Sequence, residues 1–172
     1  MMPTKKLEAI AYHEAGHGVI AYLLSRPFVH VSIIPDPDDE NLGHIRMAAT
    51  PKSLHPDYES NARTERWIRR EIMIELAGPL AEKLQRGKGN WRGASGDFHR
   101  AFDMACYHTC GEAETSAYIH WLWERTKTLL TLNWPAVEVL AAELLKRKVV
   151  GAKRARTLMR KVMHDWAHRH AT

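Results

Sequence analysis

Two histidines four residues apart, His13 and His17, bracket a glutamate, Glu14, in the run Leu7 to Leu24. On a helix, positions i and i+4 share a face and are separated by a rise of about 6 Å. Two imidazoles placed in this way can reach one ion, which is the arrangement of the zinc-hydrolase signature H-E-x-x-H. Glu14 stands beside that face, where it can take a proton from the attacking water without displacing a ligand. Two core histidines bonded to backbone or carboxylate are the plainer alternative. Two imidazoles and a carboxylate on a buried helix face are costly unless paired, and a metal ion pairs them.

The elements around the pentad must hold it. Pro3-Thr4 reads as a helix start, Leu7, Ile10, Ala11, Ile20, Ala21 and Leu24 recur at helical spacing, and Ser25-Arg26-Pro27 is the stop. Ile10, His13, His17, Ile20 and Leu24 fall on one side, so the histidines are predicted to face inward. Phe28 to Pro35 reads as a strand, residues 36–41 as a polar turn, and Leu42 to Ala48 as a second strand. The second strand is the candidate for holding a substrate backbone by strand addition. A long helix is expected from about Asp57 to Arg86, closed by Gly87, with Ile68, Ile72, Leu76, Leu80 and Leu84 inward. Gly78-Pro79 within it predicts a kink or close packing. Glu71, Glu75 and Glu82 on this helix are rival metal ligands, with solvated or ion-paired carboxylates as the plainer reading.

Lys88 to Ala94 is a glycine-rich loop without the G-K-[ST] ending of a phosphate cradle. Ser95 is the expected N-cap of a helix from Gly96 to about Cys110, closed by Gly111. Asp97 lies in its first turn, where the helix dipole alone accounts for a carboxylate. Ala113 to His170 reads as two or three helices. A break is expected near Asn133-Trp134-Pro135, an interruption at Val149-Val150-Gly151, and a basic last helix after it. His164 and His168 repeat the four-residue spacing near the end, where adventitious metal binding is the most the sequence supports.

The 172 residues suit one domain, with 45% apolar and 26% charged residues. No apolar run reaches the length of a transmembrane helix, and no secretory signal opens the chain. Cys106 and Cys110 are expected to be small buried side chains, and a cytoplasmic location is expected. The net charge of +5 raises an anionic partner. Its C-terminal excess alternates with apolar residues, as on the solvated face of an amphipathic helix, and no nucleic-acid module accompanies it.

The stretch Ala11-Tyr12-His13-Glu14-Ala15-Gly16-His17-Gly18-Val19 resembles the A-Y-H-E-A-G-H-A-V motif of FtsH-type zinc peptidases. Three more blocks match in order: Val31 to Pro35 with Leu42-Gly43, Ile74 to Glu82, and Gly93 to Ala101. The resemblance implies zinc (Zn2+) held by His13, His17 and, from the pattern G-A-[SA]-N-D, Asp97. The chain departs from the family at Gly96, where Asn is usual, and at Pro79, where Arg is usual. The family's AAA+ ATPase module and membrane anchor are not matched, so processive degradation of folded proteins is not expected.

These readings converge on an α+β, mostly α-helical chain: one domain over 1–172, with the zinc-site region in 1–111 and a helical C-terminal bundle in 112–172. The expected activity is metallopeptidase cleavage of peptides or unfolded proteins, with Glu14 as general base. A homo-oligomer or a separate ATPase are the expected protein partners. The alternatives are a zinc-containing binding module without turnover and a peptidase subunit serving a separate ATPase. A basic nucleic-acid binder is the third alternative. His30, His44 and His99 are candidates for supporting groups around the site, with nothing to choose among them.

Overall fold

The structure is a computed structural model describing residues 4–35, 42–88 and 94–169. In chain order these form α1 (Thr4–Leu23), β1 (Phe28–Ser32), β2 (His44–Met47), α2 (Ala62–Arg86), α3 (Ser95–Cys106), α4 (Glu112–Leu132), α5 (Trp134–Arg147), β3 (Val149–Gly151) and α6 (Ala152–Arg169). The fold is α+β and mostly helical. The expected turn at 36–41 and most of the glycine-rich loop, 89–93, lie outside the described residues.

The α1–α2 pair is the centre of the molecule, and Gly16 sets how close it is. A Cβ built on Gly16 would lie 2.5 Å from the Ala77 carbonyl oxygen and 2.6 Å from the Ala81 Cβ, both on α2. Glycine facing small residues lets the two backbones approach almost to contact. Ile20 on α1 and Ile72, Leu76 and Leu80 on α2 are buried beside this crossing, whereas Leu84 is exposed.

Local chemistry moves several boundaries from their expected places. α2 starts at Ala62 rather than Asp57 because Asn61 caps it. The Asn61 side chain accepts from the Arg63 and Thr64 backbone N–H groups, and the Thr64 hydroxyl accepts from the Asn61 N–H. The helix closes as expected on Gly87, whose φ of 71° is the left-handed conformation glycine adopts freely. Gly78-Pro79 does not interrupt it; the pair is buried, and close packing is the outcome.

α3 begins one residue early. Ala94 is its N-cap without a side-chain capping bond, and Ser95 is the first helical residue. The helix stops at Cys106, with Tyr107 as its C-cap, and Gly111 at φ 134° is the N-cap of α4 instead of closing α3. Cys106 and Cys110 are therefore not both on one helix, and both are exposed rather than buried.

The strands form one antiparallel sheet in the order β2-β1-β3. Val31 pairs with Ile45 on one side and Val150 on the other. β3 replaces the expected interruption; three residues are too few for an alternating pattern to be read, and pairing with β1 defines it. β2 is left at an edge of the sheet. α4 and α5 meet at the expected break and are bent by 78°. α5 buries Ala136, Val137, Leu140, Ala141 and Leu144, and α6 buries Ala155 and Met159. Among the described residues no single helix is long and apolar enough to cross a membrane.

Candidate metal centre

α1 carries His13, Glu14 and His17 through one turn, and the first turn of α3 carries Asp97 to the same place. Asp97 Oδ2 lies 2.9 Å from His13 Nε2 and 3.7 Å from His17 Nε2. One ligand atom from each of the three residues falls within 4.8 Å of the others. His17, Asp97 and Glu14 are buried and His13 nearly so. Two imidazoles and a carboxylate are a donor set that suits zinc, and three protein ligands are what catalytic zinc sites use.

α2 makes the floor. A Cβ built on Gly78 would lie 2.3 Å from His17 Nε2 and 2.6 Å from His13 Nε2. Only glycine leaves those two nitrogens space, so the cradle fits an ion between them. The rest of α2 orients the rings. His17 Nδ1 lies 2.6 Å from the Ile74 carbonyl oxygen, to which it donates, leaving Nε2 free to act as a ligand. His13 Nδ1 lies 3.7 Å from Glu82 Oε2, and Glu82 also accepts from Arg86 Nη1 at 2.7 Å.

Electrostatics follow from this crowding. Burial pulls the His13 pKa down, but its hydrogen bonds to Asp97 and Glu82 and the nearby Glu14 charge outweigh that, and it is pushed up to about 10. Burial alone would raise the Asp97 carboxyl, yet the His13 hydrogen bond and the charges of His17, His13 and Arg100 hold it below the usual carboxylate range. Glu14 moves the other way. Burial raises its pKa, against the lowering effects of His13, His17 and His44. A buried carboxyl shifted upward takes a proton more readily than an exposed one.

The rival carboxylates are engaged elsewhere. Glu71 accepts from Arg26 Nε at 2.6 Å, Glu75 from Arg100 Nε at 2.8 Å, and Glu82 stands behind His13. Of the three further histidines, His99 is exposed and lies 3.6 Å from Asp103. His30 and His44 meet at 3.2 Å between their Nε2 atoms across β1 and β2, and the His44 charge reaches Glu14. Gly43, immediately before β2, touches Glu14: a Cβ there would lie 2.8 Å from Oε1. Gly78, Gly43 and Arg100 are the residues around the site that sequence reasoning did not single out as such. The Gly78-Pro79 pair inside a helix was the one local sign, and it pointed to packing rather than to a cradle. His164 and His168 meet at 2.9 Å through exposed side chains near the end of α6.

Comparison with known proteins gives the same direction. The sequence model of peptidase family M41 matches residues 1–111. The ATP-dependent zinc metalloprotease FtsH of Hahella chejuensis is 31% identical over 107 residues, 61% of this chain and 16% of that protein. The ATP-dependent zinc metalloprotease FtsH of Marinobacter nauticus is 32% identical over 96 residues, 55% of this chain and 14% of that protein. The chain therefore spans a small fraction of the length of these relatives. The matched region includes all four resembling blocks and all four residues of the cluster, and on that match the chain belongs to peptidase family M41.

Proposed function

We propose that this chain is a zinc-dependent endopeptidase domain acting on peptides and unfolded proteins. The observation that carries the reading is the convergence of His13, His17 and Asp97 within 4.8 Å, beside buried Glu14. Membership of a peptidase family and the zinc metalloprotease relatives support it.

His13 and His17 through Nε2, and Asp97 through Oδ2, would hold the ion. Bound there, zinc supplies Lewis acidity, making water easier to deprotonate and polarising the scissile carbonyl. Glu14 accepts the proton from the attacking water and delivers it to the leaving amine. Its burial raises its affinity for that proton above an exposed carboxylate's. β2 is the strand that begins beside Glu14, and its outer edge is where an extended substrate backbone would add. A tightly folded domain cannot offer such a backbone without local unfolding.

The test compares wild type, Glu14→Gln, His13→Ala and His17→Ala for zinc per chain and for cleavage of an unstructured protein and a tightly folded domain, with and without ATP. Wild type is expected to cut only the unstructured protein, independently of ATP, and to stop when zinc is chelated. Glu14→Gln is expected to keep zinc and lose about 10²–10⁴-fold in rate. Either His→Ala change should lose most of the zinc. Near wild-type turnover in Glu14→Gln would falsify the proton-transfer role. Zinc bound without cleavage of any substrate would favour a binding module.

A further inference from the structure

Asp97 has two carboxylate oxygens, and they face opposite ways. Oδ2 points at the histidines, 2.9 Å from His13 Nε2 and 3.7 Å from His17 Nε2. Oδ1 accepts from Arg100 Nη2 at 2.5 Å. The same guanidinium donates from Nε to Glu75 Oε2 at 2.8 Å. Arg100 therefore bridges the aspartate of α3 to a glutamate of α2, the helix that also supplies Ile74, Gly78 and Glu82 to the site.

We propose that Arg100 is a positioning residue: anchored on Glu75, it occupies one oxygen of Asp97 and so presents the other to the ion held by His13 and His17. This rests on the zinc reading above. The terminal torsion of an aspartate is broad and roughly two-fold, so an unclamped Asp97 could offer either oxygen or turn away. A guanidinium removes that freedom because its donors are fixed in one planar fork and can serve two carboxylates at once. A lysine ammonium on a flexible stem cannot hold both in the same geometry.

Gly96, one of the two departures from the FtsH-type pattern, belongs to this arrangement. A Cβ on Gly96 would lie 3.3 Å from Arg100 Nη1, so a larger residue there presses on the guanidinium.

Groups that orient metal ligands typically change metal affinity 10–100-fold when removed. The Arg100 side chain is 49% exposed, and water screens part of its effect. The loss is therefore placed at the lower end, about tenfold.

The experiment measures zinc Kd on the whole chain by competition with a chromogenic chelator. The proteins are wild type, Arg100→Gln, Arg100→Lys, Glu75→Gln and the Arg100→Gln/Glu75→Gln double variant. Arg154→Gln, which breaks an ion pair with Glu143 on α5, is the control for removing an exposed arginine. Arg100→Gln is expected to weaken zinc about tenfold, Arg100→Lys by less, and the double variant no more than Arg100→Gln, because the two residues act as one unit. The metal-free melting temperature should shift no more than in the control. A zinc Kd for Arg100→Gln within about twofold of wild type would overturn the clamp. So would a fall in melting temperature with Kd unchanged, since that marks a purely structural role. If wild type itself binds no zinc, the underlying metal reading fails; zinc in wild type with Arg100→Gln unaffected sinks the clamp alone.

Discussion

At the scale of single residues, the centre depends on one absence, the missing Cβ of Gly78. The atom that alanine would add there meets His17 Nε2 at 2.3 Å and His13 Nε2 and Cδ2 at 2.6 and 2.7 Å. These are ring atoms, which can rotate away, so the strain is relieved by moving the ligands rather than the helices. Alanine also gains roughly 1 kcal/mol of helix propensity over glycine, offsetting much of an overpacking cost of about 1–3 kcal/mol. Gly78→Ala should therefore leave the metal-free protein folded, with its melting temperature changed by a few degrees, while zinc affinity falls at least about tenfold. Calorimetry of metal-free protein together with zinc titration checks this. Unchanged zinc affinity would mean that the rings do not need the space Gly78 leaves them.

Elements behave differently, because backbone cannot rotate out of the way. Gly16 meets the Ala77 carbonyl oxygen and the Ala81 Cβ across the α1–α2 crossing at 2.5 and 2.6 Å. A methyl group there must push the two helices apart and open the packing around Ile20, Ile72 and Leu76. Here the gain in propensity loses to the displacement of a whole interface. Gly16→Ala is expected to destabilise the protein by about 1–3 kcal/mol. Denaturant unfolding should show that as a lower midpoint with an unchanged slope. Zinc affinity should fall with it, since α1 carries the two proposed histidine ligands and α2 the groups that orient them. A stability equal to wild type would show that the crossing has slack. The two glycines thus separate: one should report mainly on the metal, the other mainly on the fold.

The whole molecule closes from its C-terminal part. The family match ends at residue 111, yet the core does not. Leu140 and Leu144 on α5, Val150 on β3 and Met159 on α6 are fully buried or nearly so. Gly18 on α1 sits so near α5 that a Cβ would lie 2.9 Å from Leu140 Cδ2. β3 completes the sheet on the side of β1 away from β2. A fragment of residues 1–111 would leave the α5 side of α1 and one edge of β1 uncovered. It is expected to lack a cooperative thermal transition and to bind no zinc tightly. In the whole chain, Leu140→Ala should cost about 2–5 kcal/mol while still binding one zinc per chain. Cooperative melting of the 1–111 fragment would show that the helical C-terminal region is an accessory rather than part of one domain.

How much of this was legible in advance follows from the range of each interaction. The pairing of His13 with His17 is a property of one helix turn, so spacing alone places both on a common face. The strands at Phe28 and His44, the end of α2 at Gly87 and the break at Asn133-Trp134 are also local, set by turn residues, a left-handed glycine and a proline. Asp97 is different. Nothing within α3 separates a candidate ligand from a carboxylate favoured by the helix dipole, and only the resemblance of the surrounding block singled it out. What periodicity could not supply was the set of contacts made across elements. β3 exists because Val150 pairs with Val31. The cysteines are exposed, and α3 ends at the first of them. Arg100 meets Asp97 and Glu75 only once α3 lies against α2. Helix periodicity repeats over a few residues and can be read along the chain. Which carboxylate an arginine finds, and which glycine faces a pair of histidines, depend on how packed helices cross, and that is settled only when the core forms.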